Sequence, residues 1–527
     1  MSPTPLPDRP SLEHLKKDAK RLLADALIGD TAALRRFTAL PAFAGLSPAA
    51  LQMRELALHD AQSVLAREHG FPSWQALRDE VETGGLSARD AAEAFVRSAT
   101  DGGLERARRL LERHPDLAAI SWHAALVLGD APAARRHLEA DPSLATAAGG
   151  PRQWAPLLYV CHTCLHRDAP DRAAGLVAIA RDLLTRGADP NGEYRWNWHP
   201  ELPRTVLWGA VCAVRHLPLA EALLDAGANP TDGVTAHIAA GGGDLAALDL
   251  LLRHGLAVDG IPGGVPPLAY LMTWGDIPDG ALWLLDHGAD PNLAWGEAAD
   301  TPMHLAAQRW DVAMAAALAA RGADVRARRA DGATPHTLAA LHGNTAVADW
   351  LLAHGATDDR SPLERFVTAC ASGDGHAADL LLLDDPGLSR ALGPAHHRLL
   401  DRPAERGDAA VLETMLSRGF DPVPGDKDAV TPLHRAAMGG HAEAVHVLLT
   451  HGAPIDALDG MFAATPLVWA VEGRSHAPDG QGHVDAARVL MAAGSPVDWT
   501  PPPGAPDVER TLEGLAAIRR DAARSAG

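Results

Sequence analysis

The sequence predicts an all-α fold, a solenoid of stacked helix–turn–helix units with a small helical N-terminal domain. Glycines recur through the second half of the 527-residue chain at spacings of 32 to 34 residues. Most of them end an apolar helical run in a short Gly-Ala turn, and a Thr-Pro pair opens several of the runs. A period of about 33 residues indicates repeats that bury their apolar faces against one another. The glycines that carry the period are Gly288, Gly322, Gly355, Gly387, Gly419 and Gly452.

In the unit that begins at Thr431, the residue types at the motif positions have physical reasons. A threonine can cap a helix N-terminus, and Pro432 stands in the first turn, where its missing N–H costs nothing. Small residues such as Ala436 allow a neighbouring helix to approach closely. A second helix with an apolar face is predicted over residues 442–449, and Gly452 supplies the left-handed residue that ends it.

These start motifs and endings resemble the ankyrin repeat family, whose motif T-P-L-H-x-A-A opens a unit made of two helices and a turn. Matching starts lie at residues 301–307, 334–336 and 431–437. The resemblance extends with lower fidelity towards the N-terminus and implies about twelve units over residues 91–498, those from 155 onward being the clearest. It also implies that the chain binds another protein.

A helical N-terminal domain is predicted over residues 11–82, ahead of the repeats. Its three helices begin after Ser11, at Ser47-Pro48 and after Ser73, where a serine can cap the first turn. Lysine-rich and Trp-containing phrases in this domain resemble a segment found ahead of bacterial ankyrin repeats. The domain either shields the apolar face of the first repeat or acts as an independent docking module.

The two ends of the chain are predicted to lie outside the repeats. Residues 1–10 contain four prolines and are expected to form a disordered lead-in. Residues 507–524 follow a run of prolines and are predicted to form an amphipathic helix that caps the C-terminal end of the array.

Composition excludes several classes of function. The formal net charge of -20 argues against a general nucleic-acid or anionic-membrane surface, although it leaves room for a local basic patch. Four cysteines are too few for a disulfide framework, and the N-terminus lacks the apolar segment of a signal peptide. We therefore expect a soluble, cytoplasmic protein. Abundant Ala, Arg, Gly and Pro with only four lysines are typical of a GC-rich, bacterial coding sequence.

Catalytic and metal-binding motifs are weak. The chain contains no G-x-S-x-G, P-loop, G-x-G-x-x-G or H-E-x-x-H motif, so we predict no catalytic residue, no bound metal and no cofactor. The dense group from Cys161 to His166 holds two sulfurs three residues apart, but no second C-x-x-C pair completes a zinc site. His237, His304 and His434 occupy the fourth place of the start motif, where the resemblance implies structural hydrogen bonds.

Tryptophan supplies the candidate binding residues, because the chain has 13 Trp against only 3 Tyr and 7 Phe. Several aromatic residues lie in an insertion that lengthens the step from Gly187 to Gly227 to 40 residues. Three others lie elsewhere in the repeats: Trp208 at the position of a motif histidine, Trp295 in a turn and Trp310 near the end of a helix. We expect them to line a recognition surface on the concave side; alternatively, the insertion folds back and covers the solenoid. The candidates are Tyr194, Trp196, Trp198, His199, Trp208, Trp295 and Trp310.

The sequence thus predicts a non-catalytic scaffold that binds an unidentified protein partner through repeat turns and inner helices, with no nucleic acid and no membrane involved. A first alternative is the binding of a small molecule or peptide in a Trp-lined concave groove. A second is a metalloprotein or enzyme that uses the group from Cys161 to His166.

Overall fold

The computed structural model confirms the predicted all-α repeat fold. Contacts divide the chain into two compact units, Met1–Pro267 and Leu268–Gly527, which are described separately. The structure describes residues 4–7, 10–54, 56–101, 103–163, 165–167, 169–196, 199–275, 277–423, 428–476, 481–496, 499, 511 and 514. Most of the helix predicted over residues 507–524 lies outside these residues, as do parts of the predicted lead-in.

The first unit opens with five helices around a small apolar core that includes Phe37, Leu51 and Val64. One short helix, Thr31–Phe37, was not predicted, and the single helix predicted to begin at Ser47-Pro48 is divided into two, Pro48–Gln52 and Leu58–Glu68. Ahead of them, Thr4 N donates to Glu68 O (2.7 Å) and His69 Nδ1 donates to Thr4 O (2.9 Å). The helices are α1 Leu12–Leu27, α2 Thr31–Phe37, α3 Pro48–Gln52, α4 Leu58–Glu68 and α5 Trp74–Thr83.

The rest of the first unit consists of helix pairs interrupted by one β-hairpin. Acidic and hydroxyl side chains cap many of the helices; for example, Asp244 Oδ1 accepts from Ala247 N at 3.1 Å. The helices are α6 Ala88–Thr100, α7 Leu104–Arg113, α8 Leu117–Ile120, α9 Trp122–Leu128, α10 Ala131–Ala140, α11 Pro156–Cys161, α12 Pro170–Thr185, α13 Val206–Trp208, α14 Leu217–Asp225, α15 Thr235–Gly241 and α16 Leu245–Arg253. The strands are β1 Glu193–Trp196 and β2 His199–Thr205, and a π-helix over Gly209–Ala213 follows α13.

The described residues of the second unit form helices and no strand, and most of the helices are arranged in pairs. The first helix of a pair follows the repeat turn, and the second ends at the glycine that starts the next turn. The helices are α17 Pro267–Trp274, α18 Pro278–Asp286, α19 Pro302–Arg309, α20 Val312–Ala320, α21 Pro335–Leu341, α22 Thr345–Ala353, α23 Pro362–Ala371, α24 Gly375–Asp384, α25 Pro394–His397, α26 Asp401–Arg406, α27 Ala409–Leu416, α28 Pro432–Met438, α29 Ala442–Thr450, α30 Pro466–His476 and α31 Gln481–Ala492.

The motif histidines form the structural hydrogen bonds that the resemblance implies. At α19, Thr301 N donates to His304 Nδ1 (3.2 Å), and His304 Nε2 donates to the carbonyls of Ala327 (3.1 Å) and Ala333 (3.2 Å) in the next turn. His434 repeats the arrangement at α28, where its Nε2 donates to Ala464 O at 3.1 Å. Each ring therefore caps its own helix and joins it to the following repeat.

The ending glycines adopt the left-handed conformation that the sequence predicts. Gly322 has φ +92°, and a Cβ placed on it would meet no atom within 4 Å. Glycine is required there for its backbone conformation and not for space. Asparagine side chains join successive turns, since Asn292 Nδ2 donates to Gly322 O (2.9 Å) and Asn292 Oδ1 accepts from Asp324 N (2.8 Å).

One first helix of the second unit is broken. Residues 394–406 form α25, a 3₁₀ turn over Arg398–Leu400 and then α26. Pro403 explains the break, because it has no N–H to donate to the carbonyl of Leu399, four residues earlier, and its ring would clash with that carbonyl. The repeat therefore departs from the straight helix seen in α19 and α21.

Candidate functional site

The insertion after Gly187 forms the β-hairpin of the first unit. Strands β1 and β2 pair antiparallel, with Tyr194 opposite Arg204 and, at the far end, Trp196 opposite His199. The register is irregular between Arg195 and Trp196. Of the predicted site residues, Trp196 and His199 therefore lie near the hairpin tip, whereas Trp198 lies outside the described residues.

Tyr194 joins a group of rings that we call the aromatic cluster, formed by Trp154, Tyr159, His162, Tyr194 and Trp208. The Tyr194 ring stacks on Trp154 with centroids 4.4 Å apart and meets His162 edge-on at 5.2 Å. Trp208 lies parallel to His162 at 5.8 Å. Two predicted site residues, Tyr194 and Trp208, thus contact the same buried histidine from two different elements.

Both strands of the hairpin are attached to this cluster. The guanidinium of Arg204, which is opposite Tyr194, lies 3.9 Å from the ring centroid of Trp208. A cation held over an indole face at this distance is attracted by the ring electrons. The hairpin base is therefore held by one aromatic stack and one cation–π contact.

His162 is a buried polar residue of the cluster. Its Nδ1 donates to Leu158 O (2.9 Å), while its Nε2 has no hydrogen-bond partner among the described residues. Burial lowers the pKa of His162 to about 4, and the nearby charge of Arg204 also acts to lower it. The imidazole is consequently neutral at pH 7. Trp208 Nε1 is likewise buried without a described partner.

A close backbone approach brings His162 against the helix that carries Trp208. A Cβ on Gly209 would lie 2.4 Å from Cys161 O and 2.6 Å from His162 Cε1. Gly209 starts the π-helix Gly209–Ala213, in which Val214 N donates to Gly209 O (2.8 Å). Helices of this type occur mostly as single turns, often at functional sites.

Trp208 occupies the motif position that His304 and His434 occupy in the regular repeats. Its indole has no acceptor nitrogen, so it cannot receive the N–H of Thr205 as a histidine would. The Thr205 hydroxyl instead accepts from Trp208 N (2.9 Å) and donates to Asp232 (2.7 Å). The connection to the next turn therefore passes through the threonine and Asp232.

The two remaining candidates lie in the second unit. Trp295 is half-buried in a repeat turn, where its ring meets Trp274 at 5.7 Å; the Trp274 side chain is 55% exposed. Trp310 Nε1 donates to Met272 O (2.9 Å), a contact that joins α19 to α17. Trp310 thus has a packing role, whereas Trp295 and Trp274 form an aromatic pair open to solvent.

A cavity of about 440 Å³ in the second unit was not predicted. It lies between the C-terminal ends of α17 and α19 on one side and the broken helix α25–α26 on the other. Sequence reasoning missed its polar lining, although Pro403, in the repeat that ends at Gly419, was an available signal of irregular structure. The polar and charged residues are Thr273, Gln308, Arg309, His342, Arg398, Asp401, Arg402, Glu405 and Arg435.

The group from Cys161 to His166 does not assemble into a metal centre in the described part of the chain. Cys161 is fully buried in α11, and burial raises the pKa of its thiol far above the ordinary value. Cys164 lies outside the described residues. No group of three or more His, Cys, Asp or Glu side chains able to hold a metal was found among the residues that are described.

Among the described residues, no helix combines the length and the apolar character needed to cross a bilayer.

Comparison with known proteins supports the repeat assignment. Residues 401–499 match the family model of ankyrin repeats, with three copies. A nuclear factor NF-kappa-B subunit of Gallus gallus is 29% identical over 292 residues, covering 53% of this chain and 27% of that protein. The SH3 and multiple ankyrin repeat domains protein 2 of Homo sapiens is 31% identical over 176 residues, covering 32% and 9%.

A third relative is an ankyrin repeat and KH domain-containing protein of Caenorhabditis briggsae, 28% identical over 227 residues, which cover 41% of this chain and 8% of that protein. The chain therefore spans about a quarter or less of the length of these three relatives, all of which are eukaryotic. Their similarity and the matched repeats agree with the helix pairs and histidine bonds described above. The chain is an all-α repeat protein that contains ankyrin repeats.

Proposed function

We propose that the chain is a non-catalytic scaffold that binds a protein partner through its repeat turns and its first, inner helices. The observation that carries this proposal is the β-hairpin, which extends a repeat turn and bears Trp196 and His199 near its tip. Ankyrin repeats are present at residues 401–499, and one relative is named for its SH3 and multiple ankyrin repeat domains.

The hairpin is suited to binding because its base is held in place. An isolated two-stranded hairpin is marginally stable in water, so the stack of Tyr194 on Trp154 and the contact of Arg204 with Trp208 supply the missing stabilisation. A surface that is ordered before it meets a partner loses less conformational entropy on binding. In this proposal Tyr194 and Trp208 position the hairpin, whereas Trp196, Trp198 and His199 contact the partner.

The second unit supports the same mode of binding at a repeat turn. Trp274 and Trp295 contact each other, and Trp274 leaves more than half of its side chain in solvent. Tryptophan is enriched among the residues that contribute most to protein interfaces. We propose that this pair forms a second contact region, in the unit that also contains the matched ankyrin repeats.

A photo-crosslinking experiment tests the proposal. Benzoylphenylalanine is placed at position 196 and, as a matched control, at position 383; Leu383 is an 80% exposed apolar side chain of α24. We expect a discrete crosslinked protein from the native host at position 196 only. We also expect the double variant Trp196→Ala/Trp198→Ala to lose that protein in affinity purification while keeping the wild-type Tm. Equal crosslinking at both positions, or a large fall in Tm, contradicts the proposal.

We further propose that the scaffold acts in the cytoplasm of a bacterium, with its helical N-terminal segment ahead of the repeats. Three cysteines, Cys161, Cys212 and Cys370, are free thiols, which fits a reducing compartment. The net charge of -20 disfavours nucleic acid as the partner. Cell fractionation with an antibody against the chain tests the location, since recovery in the periplasmic or membrane fraction would contradict it.

A further inference from the structure

The cavity of the second unit owes its shape to the broken helix. Because Pro403 interrupts residues 394–406, α26 departs from a straight first helix, and Arg402 Nη2 donates to Arg309 O (3.4 Å), a residue 93 positions earlier. The space between α19 and α26 is about 440 Å³, a volume in the range of small-molecule sites. Met272, Trp274 and Leu305 supply an apolar part of its wall.

Positive charge is concentrated in this cavity. Its lining includes four arginines, Arg309, Arg398, Arg402 and Arg435, against two carboxylates, Asp401 and Glu405. The local excess of two positive charges contrasts with the net charge of -20 of the whole chain. Arginine presents a planar fork of donors that matches the oxygens of carboxylates and phosphates.

The two carboxylates are already paired. Glu405 Oε2 lies 3.0 Å from Arg402 Nη1, and Asp401 Oδ1 lies 3.6 Å from Arg435 Nε. Arg398 is exposed at the cavity and forms no ion pair with a described residue. The lining therefore holds at least one guanidinium, that of Arg398, that no described carboxylate pairs with.

Two buried nitrogens in the lining lack hydrogen-bond partners. Arg402 Nε and His342 Nδ1 are both inaccessible to solvent and have no partner among the described residues. Burial, together with the positive charges of Arg402, Arg329 and Arg406, lowers the pKa of His342 to about 4. Buried polar groups in proteins are nearly always paired, so the donor Arg402 Nε indicates an absent acceptor, and His342 Nδ1 can donate to the same acceptor when the ring carries a proton there.

We propose that this cavity binds a small molecule that carries a doubly charged oxyanion, such as a phosphate monoester or a dicarboxylate. The oxyanion lies among Arg398, Arg402 and Arg309 and neutralises the local excess of positive charge. The organic part of the ligand lies against the apolar wall near Trp274. The site shares Trp274 with the second contact region proposed above, whereas its charged residues lie outside that pair.

Calorimetric titration of the full chain tests the site with inorganic phosphate and with succinate, at constant ionic strength, against sodium chloride as the reference. We expect saturable binding of at least one of the two anions. The variant Arg398→Gln is expected to bind it about tenfold more weakly, because one charge-assisted contact is lost. The control is Arg390→Gln, an exposed arginine of the same repeat outside the cavity, which should bind like the wild type.

The two anions distinguish which anionic group the natural ligand carries. Preference for inorganic phosphate assigns a phosphate group, and preference for succinate assigns a dicarboxylate. The proposal is overturned if neither anion binds saturably, or if Arg398→Gln and Arg390→Gln bind the anion equally.

An NMR measurement keeps the proposal testable if a variant folds poorly. The His342 imidazole signal is assigned by comparison with His342→Gln and followed from pH 7 to pH 4 with and without the anion that binds. A bound oxyanion favours the protonated ring, so the pKa of His342 should rise when the anion is present. An unchanged His342 titration in the presence of a bound anion would show that the anion binds elsewhere and would overturn the assignment.

Discussion

Two regions of the chain connect a first helix to the next repeat turn in different ways. They are the regular repeats around α19 and α28 and the irregular segment over residues 149–216. In the regular repeats, one histidine caps its helix and bonds to the next turn, as His304 does. In the irregular segment, Trp208 stands at that position and packs against His162 and Arg204. The regular design depends on residues close together in the motif, whereas the irregular one depends on rings from three separate elements.

The difference teaches where surface variation can arise in this chain. A motif histidine such as His304 bonds its helix to the neighbouring turn, because both of its ring nitrogens form hydrogen bonds. Once Trp208 replaces it, the turn connection passes to Thr205 and Asp232, and the face of the helix becomes available to a hairpin. Substitutions in the two regions should therefore have different kinds of consequence.

The largest difference is expected between two glycines. Gly209→Ala places a Cβ 2.4 Å from Cys161 O in the irregular segment, so we expect it to lower the free energy of unfolding by about 3 kcal/mol. Gly322→Ala in a regular turn meets no atom and carries only the cost of its left-handed backbone, about 1 kcal/mol. Urea unfolding measures both. A larger loss for Gly322→Ala would contradict the steric account, because Gly209 has ordinary helical dihedral angles.

Removal of a motif histidine should lower the free energy of unfolding of the regular repeats. His304→Ala removes the acceptor for Thr301 N and the donor to Ala327 O, so we expect a loss of about 2 kcal/mol. His376→Ala, an exposed histidine of α24, is the matched control and should stay close to the wild type. Comparable losses for both variants would show that the hydrogen bonds of His304 contribute little.

Acid should weaken the irregular segment through His162. Its folded pKa of about 4 is below the unfolded value near 6.5, so the unfolded chain binds more protons between these values. Stability is therefore fully present above pH 6.5 and is lost as the pH falls towards 4. We expect His162 alone to contribute a loss of roughly 2 kcal/mol between pH 7 and pH 5. Urea unfolding of the wild type and His162→Gln at both pH values measures it, and an equal pH dependence in the two proteins would refute it.

The smallest effect on stability is expected from restoring a histidine at the motif position that Trp208 occupies. Trp208→His recreates the regular start sequence but removes the indole that contacts His162 and Arg204, so we expect a loss of about 1 kcal/mol. Trp208→Phe keeps an aromatic ring and loses the smaller ring of the indole together with an N–H that has no described partner, so it should be closer to the wild type than Trp208→His. A stabilising Trp208→His variant would mean that the segment is a degenerate repeat rather than a different design.

Much of the regular structure was predictable from the sequence because its signals are local. The threonine caps, the left-handed Gly322 and the bonds of His304 and His434 all follow from motif positions within one unit or its neighbour. Trp310 shows the limit of this reasoning, because its place near a helix end gave no sign of the hydrogen bond by which its indole N–H joins α19 to α17.

The aromatic cluster and the cavity were not predictable because distant residues form them. Trp154 meets Tyr194 only after the insertion folds into a hairpin, and that pairing has no short sequence signature. The cavity requires the break at Pro403 to bring Arg402 to Arg309. In both cases the first sign was a departure from the repeat, at Trp208 and at Pro403.

The π-helix over Gly209–Ala213 also accounts for a difference in length between this repeat and the regular ones. From the first motif threonine to the ending glycine there are 21 positions in the units of Thr301 and Gly322 or Thr431 and Gly452, but 22 from Thr205 to Gly227. A π turn closes its hydrogen bond over one more residue than an α turn. The extra residue is therefore absorbed inside the helix, and the repeat tolerates a one-residue insertion without lengthening a loop or shifting α14 out of phase with its neighbours.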